Sequence, residues 1–374
     1  MTIIQSLSQF VVMVVFINIY DVKVFGEFSF INAFVIILFL ISSLGLRNVG
    51  VVESENISIS LLFFTRITLS SFTVFLLFIL FLFIEVDVLF CFVLVAMRYL
   101  ESISEIFWIK RHVKGEYFKI FVFQAGRWLL AAFCFVFSAL LGCDVYIALF
   151  MYLLGALIVF IIDAFLFKVK TQIKIYRLKK VLELVIKFYT LSISLGMQSL
   201  QQNLPRLLLG VFIGSKAVGI FSVAYQFYNM SFMIFQNSKN FILKSGNMAL
   251  YNLRREILFS LSIAILLFSG WYILGDLFLK LLLPELDSST WIITLYLYFA
   301  LNFKFIGYCF QHQAMQFGEY TSLFKINLYT AFLSVVFAVP LIYYFKLEGA
   351  IAYIIVSNLI YLVVAIQKTK VIKK

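Results

Sequence analysis

The chain has 374 residues and a formal net charge of +12, and 64% of its residues are hydrophobic while only 13% are charged. Soluble globular domains carry about 25% charged residues, so this composition excludes an ordinary soluble enzyme. Eighteen acidic and thirty basic side chains cannot cover a globule that also contains 46 phenylalanines. The uncharged runs are too long for barrel strands and lack period-two alternation, which predicts an all-α polytopic membrane protein.

Twelve transmembrane helices account for most of the chain, since a helix needs about 20 apolar residues to cross a bilayer. The fourth span is the most polar, because it contains Arg98, Glu101 and Glu105. In chain order the predicted spans lie near 2–20, 28–46, 60–84, 88–109, 117–142, 145–167, 188–213, 217–238, 257–279, 289–310, 321–345 and 349–367.

The distribution of lysine and arginine predicts the orientation of these spans. Alternate connections, taken with the adjoining span ends that hold Lys119 and Lys325, and the C-terminal tail carry 21 basic residues, whereas the connections on the other side carry four. Because basic residues are enriched in cytoplasmic connections, both termini are expected in the cytoplasm. The same bias explains the net charge, so no nucleic-acid partner is expected.

A basic segment at the middle of the chain and an internal repeat predict two halves. Residues 168–187 form the predicted cytoplasmic linker, which also contacts anionic lipid headgroups, between six-helix lobes at 1–167 and 188–374. At an offset of 193 residues, 8 of the 25 positions from 5 to 29 are identical to those from 198 to 222. Such repeats are typical of transporters with a site between the lobes.

Two segments resemble bacterial polysaccharide flippases, the Wzx-type members of the MOP exporter superfamily. Gln201–Tyr225, QQNLPRLLLGVFIGSKAVGIFSVAY, resembles the family's seventh and eighth helices, and Val24–Phe30, VFGEFSF, resembles the turn between its first two helices. In relatives an acidic residue often precedes the arginine of the seventh helix, whereas Pro205 occupies that place here.

The resemblance implies a MOP/MATE-like fold in a bacterial inner membrane and a function in O-antigen, lipopolysaccharide or capsule biosynthesis. The implied activity is alternating-access transfer of an undecaprenyl-diphosphate-linked oligosaccharide, with no bond made or broken and other polysaccharide-assembly membrane proteins as partners. Two alternatives stay open, a membrane polysaccharide polymerase or ligase and a cation-coupled multidrug exporter of the same superfamily. A polymerase or ligase would need a large loop outside the membrane, and an exporter would be expected to have more carboxylates than arginines in its spans. The sequence predicts neither feature.

Basic side chains inside predicted spans are the first candidate site residues, because a buried charge in a membrane is costly. A cavity lined by several of them would bind the diphosphate, which matches the planar fork of arginine. Arg66 and Arg127 are also interpreted as side chains that reach toward the interface. The candidates are Arg206, Arg66, Arg127 and Lys304, with Arg47 as an anchor or the mouth of the cavity.

Amides and a phenol add polar stripes to three predicted helices. Gln198 and Gln202 precede Arg206 at four-residue spacing, and a kink is expected at Pro205. These groups suit sugar hydroxyls, or alternatively they bind neighbouring helices together. The further members are Gln5 and Gln9 on the first helix and Tyr225 and Asn229 on the eighth.

The remaining polar groups receive simpler interpretations. Arg98 is predicted to pair with Glu101 three residues on, and Asp163 either neutralises an arginine or binds a coupling cation. No nucleotide or metal motif occurs, so no cofactor and no metal are expected. The four cysteines are predicted to be packing residues: Cys91, Cys134, Cys143 and Cys309.

Overall fold

The computed structural model of the chain consists of α-helices in all the parts it describes. These parts are residues 2–52, 57–84, 86–167, 176–244, 253–284, 286, 289–316 and 320–370. The helices are α1 (Thr2–Tyr20), α2 (Val22–Ser42), α3 (Leu46–Val52), α4 (Ile59–Phe83), α5 (Val88–Val113), α6 (Tyr117–Leu140), α7 (Val145–Phe167), α8 (Leu178–Phe212), α9 (Ser215–Lys244), α10 (Leu253–Leu282), α11 (Ser289–Gln316) and α12 (Tyr320–Lys370).

Nine helices in the described residues are long and apolar enough to cross a membrane, which makes the chain a multi-pass membrane protein. Helix α1 is apolar but shorter, and α5 carries the charges of Arg98, Glu101 and Glu105. The prediction of an all-α polytopic protein is confirmed. The count of twelve spans and the cytoplasmic position of both termini stay predictions.

Helix α12 is two helical segments joined at Lys346. This residue has φ of 53° and ψ of −124°, a conformation outside the helical region. The sequence-based boundary between spans 321–345 and 349–367 lies at this same point. Its first segment also contains Pro340.

Side-chain caps explain where two helices begin. Ser58 precedes α4 and its hydroxyl accepts a hydrogen bond from the backbone N–H of Leu61. Asp87 precedes α5 and its carboxylate accepts from the N–H groups of Leu89 and Phe90. These groups satisfy donors that have no partner inside the helix.

Helix α8 begins at Leu178, ten residues before the predicted start of the seventh span. The second half of the predicted linker 168–187 is therefore helical, with charged residues in its first turns. Residues 168–175 of that linker lie outside the described residues. The lobe boundaries at 167 and 188 stay predictions.

The contacts within the chain define two compact units. The first comprises residues 1–15 and 31–199, and the second comprises residues 16–30 and 200–374. In the first unit, Phe107 is fully buried and stacks on Phe63, Phe160 and Phe167, with ring centroids 4.5 to 6.3 Å apart. These rings join α4, α5 and α7 into one core.

Two glycines in the second unit make a reciprocal helix contact. A Cβ atom on Gly26 would lie 1.8 Å from the carbonyl oxygen of Ser215, and one on Gly219 would lie 2.2 Å from that of Val22. Gly219 follows Gly26 by 193 residues, and Ser215 follows Val22 by the same number. Reciprocal contacts between equivalent positions are what a two-fold relation requires, so this geometry supports the internal repeat.

Candidate functional site

Arg66 of α4 forms a buried ion pair with Glu105 of α5. The Arg66 Nη2 atom lies 2.6 Å from a Glu105 carboxylate oxygen, and its Nε donates to the Ser102 carbonyl at 3.2 Å. Only 4% of the Arg66 side chain is exposed, so it does not reach outward toward a membrane interface. Its other terminal nitrogen, Nη1, has no hydrogen-bond partner among the described residues.

Arg127 of α6 approaches the same face of α5. Its Nη2 lies 3.5 Å from Glu101, whose other carboxylate oxygen accepts a hydrogen bond of 2.7 Å from Arg98. The predicted pairing of Arg98 with Glu101 is confirmed. Arg127 is also buried, and no group in the part of the chain that the structure describes forms a hydrogen bond with its Nη1. Two arginines thus share one carboxylate.

Trp108 of α5 contacts both Arg127 and Arg47. Its ring lies 5.1 Å from the Arg127 guanidinium carbon and 5.4 Å from that of Arg47, which is exposed on α3. Glu101, Glu105 and Trp108 share a face of α5 because they are spaced by four and three residues. We call this set the first basic cluster: Arg47, Arg66, Arg98, Arg127, Glu101, Glu105 and Trp108.

The first basic cluster holds four arginines and two glutamates, so its cations exceed its anions by two. Cation–π contacts with Trp108 stabilise guanidinium groups but leave their charge in place. The buried Arg66 and Arg127 each contact a glutamate, whereas Arg47 contacts only Trp108 in this cluster and is exposed. The arrangement therefore provides attraction for an anion.

Asp163 of α7 belongs to a different ion pair. Its carboxylate lies 2.5 Å from Arg111 at the end of α5, and both side chains are buried. Of the two sequence-based interpretations, neutralisation of an arginine is the one the structure displays. The partner is Arg111, which lies between the predicted spans 88–109 and 117–142 and is not among the candidate cations predicted from the sequence. An ion-coupling role for Asp163 stays a prediction.

Arg206 lies on α8 in the second unit and is held by three neighbours. Its Nη1 donates to the Asn203 amide oxygen at 2.8 Å, its Nε donates to the Ser222 hydroxyl at 3.1 Å, and its guanidinium carbon lies 4.9 Å from the Tyr225 ring centre. Across the residues that the structure describes, no carboxylate lies within 4.0 Å of Arg206.

Lys304 of α11 is a second cation of this unit and is buried against aromatic rings. Its Nζ atom lies 4.0 Å from the Phe232 ring centre and 4.7 Å from that of Tyr228. Tyr228 stacks on Tyr225 with ring centroids 5.2 Å apart, so the two stacked rings separate Lys304 from Arg206. The described residues place no carboxylate within ion-pair distance of Lys304. We call Arg206 and Lys304 the second basic cluster.

The glutamines of the predicted polar stripes differ from the neighbouring Gln201 in their hydrogen bonds. Gln201 donates a hydrogen bond of 2.5 Å to Ser357 and so binds α8 to α12. Four other glutamines are half-buried, and their side chains make no hydrogen bond with the described part of the chain. These are Gln5, Gln9, Gln198 and Gln202.

Two residues of the predicted stripe on α9 differ in exposure. Tyr225 is 2% exposed and lies beneath Arg206, so it does not line an open surface. Asn229 is half-buried one turn later. Tyr225 therefore contacts the Arg206 cation from α9, which agrees with the alternative of contact between helices, and a role of Tyr225 toward sugar stays a prediction.

Several neighbours of the predicted cations are not predicted by the sequence. Asn203 precedes Arg206 by three residues, a spacing that could have identified it. Trp108, Tyr228 and Phe232 have no signal that separates them from the many other aromatic residues. Ser222 lies on another helix, so only the fold places it beside Arg206.

No model of a known protein family matches the sequence, and no curated protein matches it. Among solved structures, the lipid II flippase MurJ in an inward closed conformation is similar over 99% of this chain and 86% of its own, with a TM-score of 0.81 and 13% identity. An inward-facing MATE family multidrug resistance transporter of the MOP superfamily is similar over 98% and 94%, with a TM-score of 0.65 and 12% identity. The Vibrio cholerae MATE transporter VcmN, as a point mutant, is similar over 99% and 94%, with a TM-score of 0.61 and 12% identity. At these identities the likeness establishes the fold, and the chain has the fold of the MurJ flippase and the MATE transporters.

Proposed function

We propose that this protein is a flippase that carries an undecaprenyl-diphosphate-linked oligosaccharide from the cytoplasmic to the periplasmic leaflet of a bacterial inner membrane. Alternating access moves the substrate, and no bond is made or broken. The sugar is a repeat unit of O-antigen or capsule. The resemblance to Wzx-type flippases and the fold shared with a lipid II flippase support this assignment.

One observation carries the proposal, the excess of cations over carboxylates in the two basic clusters. The first basic cluster has two more arginines than glutamates, and the second has two cations without a carboxylate among the described residues. A diphosphate supplies the missing negative charge, and arginine can bind it with two parallel hydrogen bonds. The free amides of Gln198 and Gln202 suit the hydroxyls of the attached sugar.

A cation-coupled multidrug exporter is the second candidate, because MATE transporters share the fold. A cationic drug requires carboxylates that are free to pair with it. In the first basic cluster both glutamates already contact arginines. The charge balance therefore favours the anionic substrate.

The test measures the melting temperature of the purified protein with three ligands: undecaprenyl diphosphate, undecaprenol and the cationic dye rhodamine 6G. A ligand that binds the folded state raises the melting temperature with its concentration. We expect the diphosphate to raise it and undecaprenol to have little effect, because only the former has the anion. Stabilisation by rhodamine 6G with no response to the diphosphate would establish the exporter instead.

A further inference from the structure

We infer that a basic pocket at the end of the first unit's helices binds the phosphate of an anionic glycerophospholipid. The pocket lies where α5 ends, α6 begins and α7 ends, and it is separate from both basic clusters. Its volume is about 320 Å³, roughly ten times that of a water molecule in the liquid. The lining comprises Lys110, Arg111, Lys114, Glu116, Lys119 and Phe123, with the end of α7.

The charges of the pocket do not balance. Arg111 is paired with Asp163 at 2.5 Å, and Lys119 is paired with Glu116 at 3.1 Å. Lys110 and Lys114 remain as an excess of two positive charges, with no carboxylate of the described residues within ion-pair distance. Burial, and then the charge of Lys114, lowers the pKa of Lys110 below its ordinary value. An anion between the two lysines relieves this repulsion.

Two further features provide hydrogen-bond donors at the same place. Arg111 is 5% exposed, and its Nη1 atom has no hydrogen-bond partner in the described ranges although its Nη2 contacts Asp163. Glu116 precedes α6 without a side-chain cap. The Tyr117 N–H donates to the Gly115 carbonyl, and the N–H groups of Phe118 and Lys119 at this positive helix end receive no cap from Glu116. A buried guanidinium nitrogen and an uncapped 24-residue helix are the donors that phosphate oxygens require.

The apolar wall indicates a lipid phosphate instead of a free one. Leu166 and Phe167 close one side of the pocket, and Lys110 lies over the Phe167 ring at 4.8 Å. Leu166 is 59% exposed and Phe118, in the first turn of α6, is 78% exposed, so acyl chains have an apolar surface beside the cations. Helices α6 and α7 are candidate membrane spans, which places their ends at the headgroup level. By the distribution of basic residues, this is the cytoplasmic leaflet.

The test supplies the purified full-length protein in detergent with equal amounts of phosphatidylglycerol and phosphatidylcholine. Mass spectra of the intact protein then show which of the two lipids stays bound. We expect the protein to retain phosphatidylglycerol preferentially, and Lys110→Gln with Lys114→Gln to reduce that preference about tenfold. The matched control, Lys216→Gln with Lys280→Gln, removes two exposed lysines from α9 and α10, which belong neither to the pocket lining nor to the linker, and keeps the preference.

The outcomes separate a lipid site from its rivals. Equal loss in both double variants, or no loss in either, would overturn the site. Full displacement of phosphatidylglycerol by millimolar inorganic phosphate would show a free-anion site and reject the lipid. Arg111→Gln is not the primary variant, because it leaves Asp163 buried without its partner and affects folding. None of these results depends on which substrate the protein transports.

Discussion

The hydroxyl of Tyr353 donates a hydrogen bond of 3.0 Å to the main-chain carbonyl of Gln201. That carbonyl lies four residues before Pro205, whose ring nitrogen has no hydrogen to donate, so α8 cannot satisfy it internally. A membrane offers no water as a substitute. The second segment of α12 therefore supplies the donor that allows a proline inside α8.

Replacing Tyr353 by phenylalanine removes the hydroxyl, so the Gln201 carbonyl loses this hydrogen bond. We expect Tyr353→Phe to lower the stability by about 1 kcal/mol, in the range of helix–helix hydrogen bonds in membranes. The measurement is the melting temperature of the purified protein, with Tyr344→Phe, at a side chain 74% exposed, as the control. In a Pro205→Ala background the alanine N–H reaches Gln201, so the loss should disappear. An equal loss in that background would contradict the explanation.

The two contact glycines give a prediction about the repeat. Gly26→Ala and Gly219→Ala each force a Cβ atom into a backbone oxygen of the facing helix, at 1.8 and 2.2 Å. We expect each to destabilise the protein by about 1–3 kcal/mol, the usual cost of overpacking. Gly270→Ala is the control, because its Cβ would meet nothing within 4 Å.

The melting temperatures of the three glycine variants test this close approach of the two helices. Because the two contacts are related by the repeat, Gly26→Ala and Gly219→Ala should lower the melting temperature by similar amounts. Gly270→Ala should leave it unchanged or raise it, since alanine is the better helix former. A tolerated Gly26→Ala would refute the close approach.

Burial distinguishes the ion pairs of the first unit from those on the surface. Glu105→Gln removes the charge that compensates Arg66, whose side chain is 4% exposed, so we expect a loss of about 3–5 kcal/mol. Asp276→Asn breaks the pair with Lys280, which is 66% exposed, and should cost at most about 1 kcal/mol. Chemical unfolding of both variants in the same detergent provides the comparison. Equal losses would show that Arg66 has another anionic partner.

The helices were predictable because their signal is composition over long segments. The run 145–167 has no charge except Asp163, and its predicted bounds coincide with α7. Amphipathic extensions escaped prediction, since α8 begins at Leu178 among charged residues that hydropathy assigns to a connection. The short helix α3 was also missed, because seven residues carry too little periodicity.

The sequence predicted which residues carry charge inside the spans, but it did not predict which side chains contact each other. A charged residue within a long apolar segment is visible in the sequence, and Arg66, Arg127 and Lys304 were identified in this way. Its partner is determined by which helices are neighbours in space, and a single sequence does not contain that information for Glu105 or Trp108. Only the local pair of Arg98 with Glu101 could be found, since both residues lie on one turn of helix.

Arg206 is the cation for which we expect the largest effect on transport. It is the basic residue that follows Gln198 and Gln202 on α8, and no described carboxylate neutralises it. A charge-assisted hydrogen bond is worth about 1.5–3 kcal/mol, so Arg206→Ala should reduce transport roughly 10- to 150-fold if the guanidinium binds the diphosphate. Arg206→Lys should retain part of the activity, because it keeps the charge over Tyr225 and loses the fork.

The Arg206 variants are compared by complementation of a flippase-deficient strain, with surface polysaccharide normalised to the amount of protein in the membrane. Lys216→Ala, which removes an exposed positive charge at the start of α9, is the matched control and should transport normally. Normalisation separates binding from anchoring: if Arg206 only holds Asn203 and Ser222, the alanine variant will be scarce but active per molecule. Full activity of abundant Arg206→Ala would exclude the guanidinium from the substrate site and leave Lys304 and the first basic cluster as its cations.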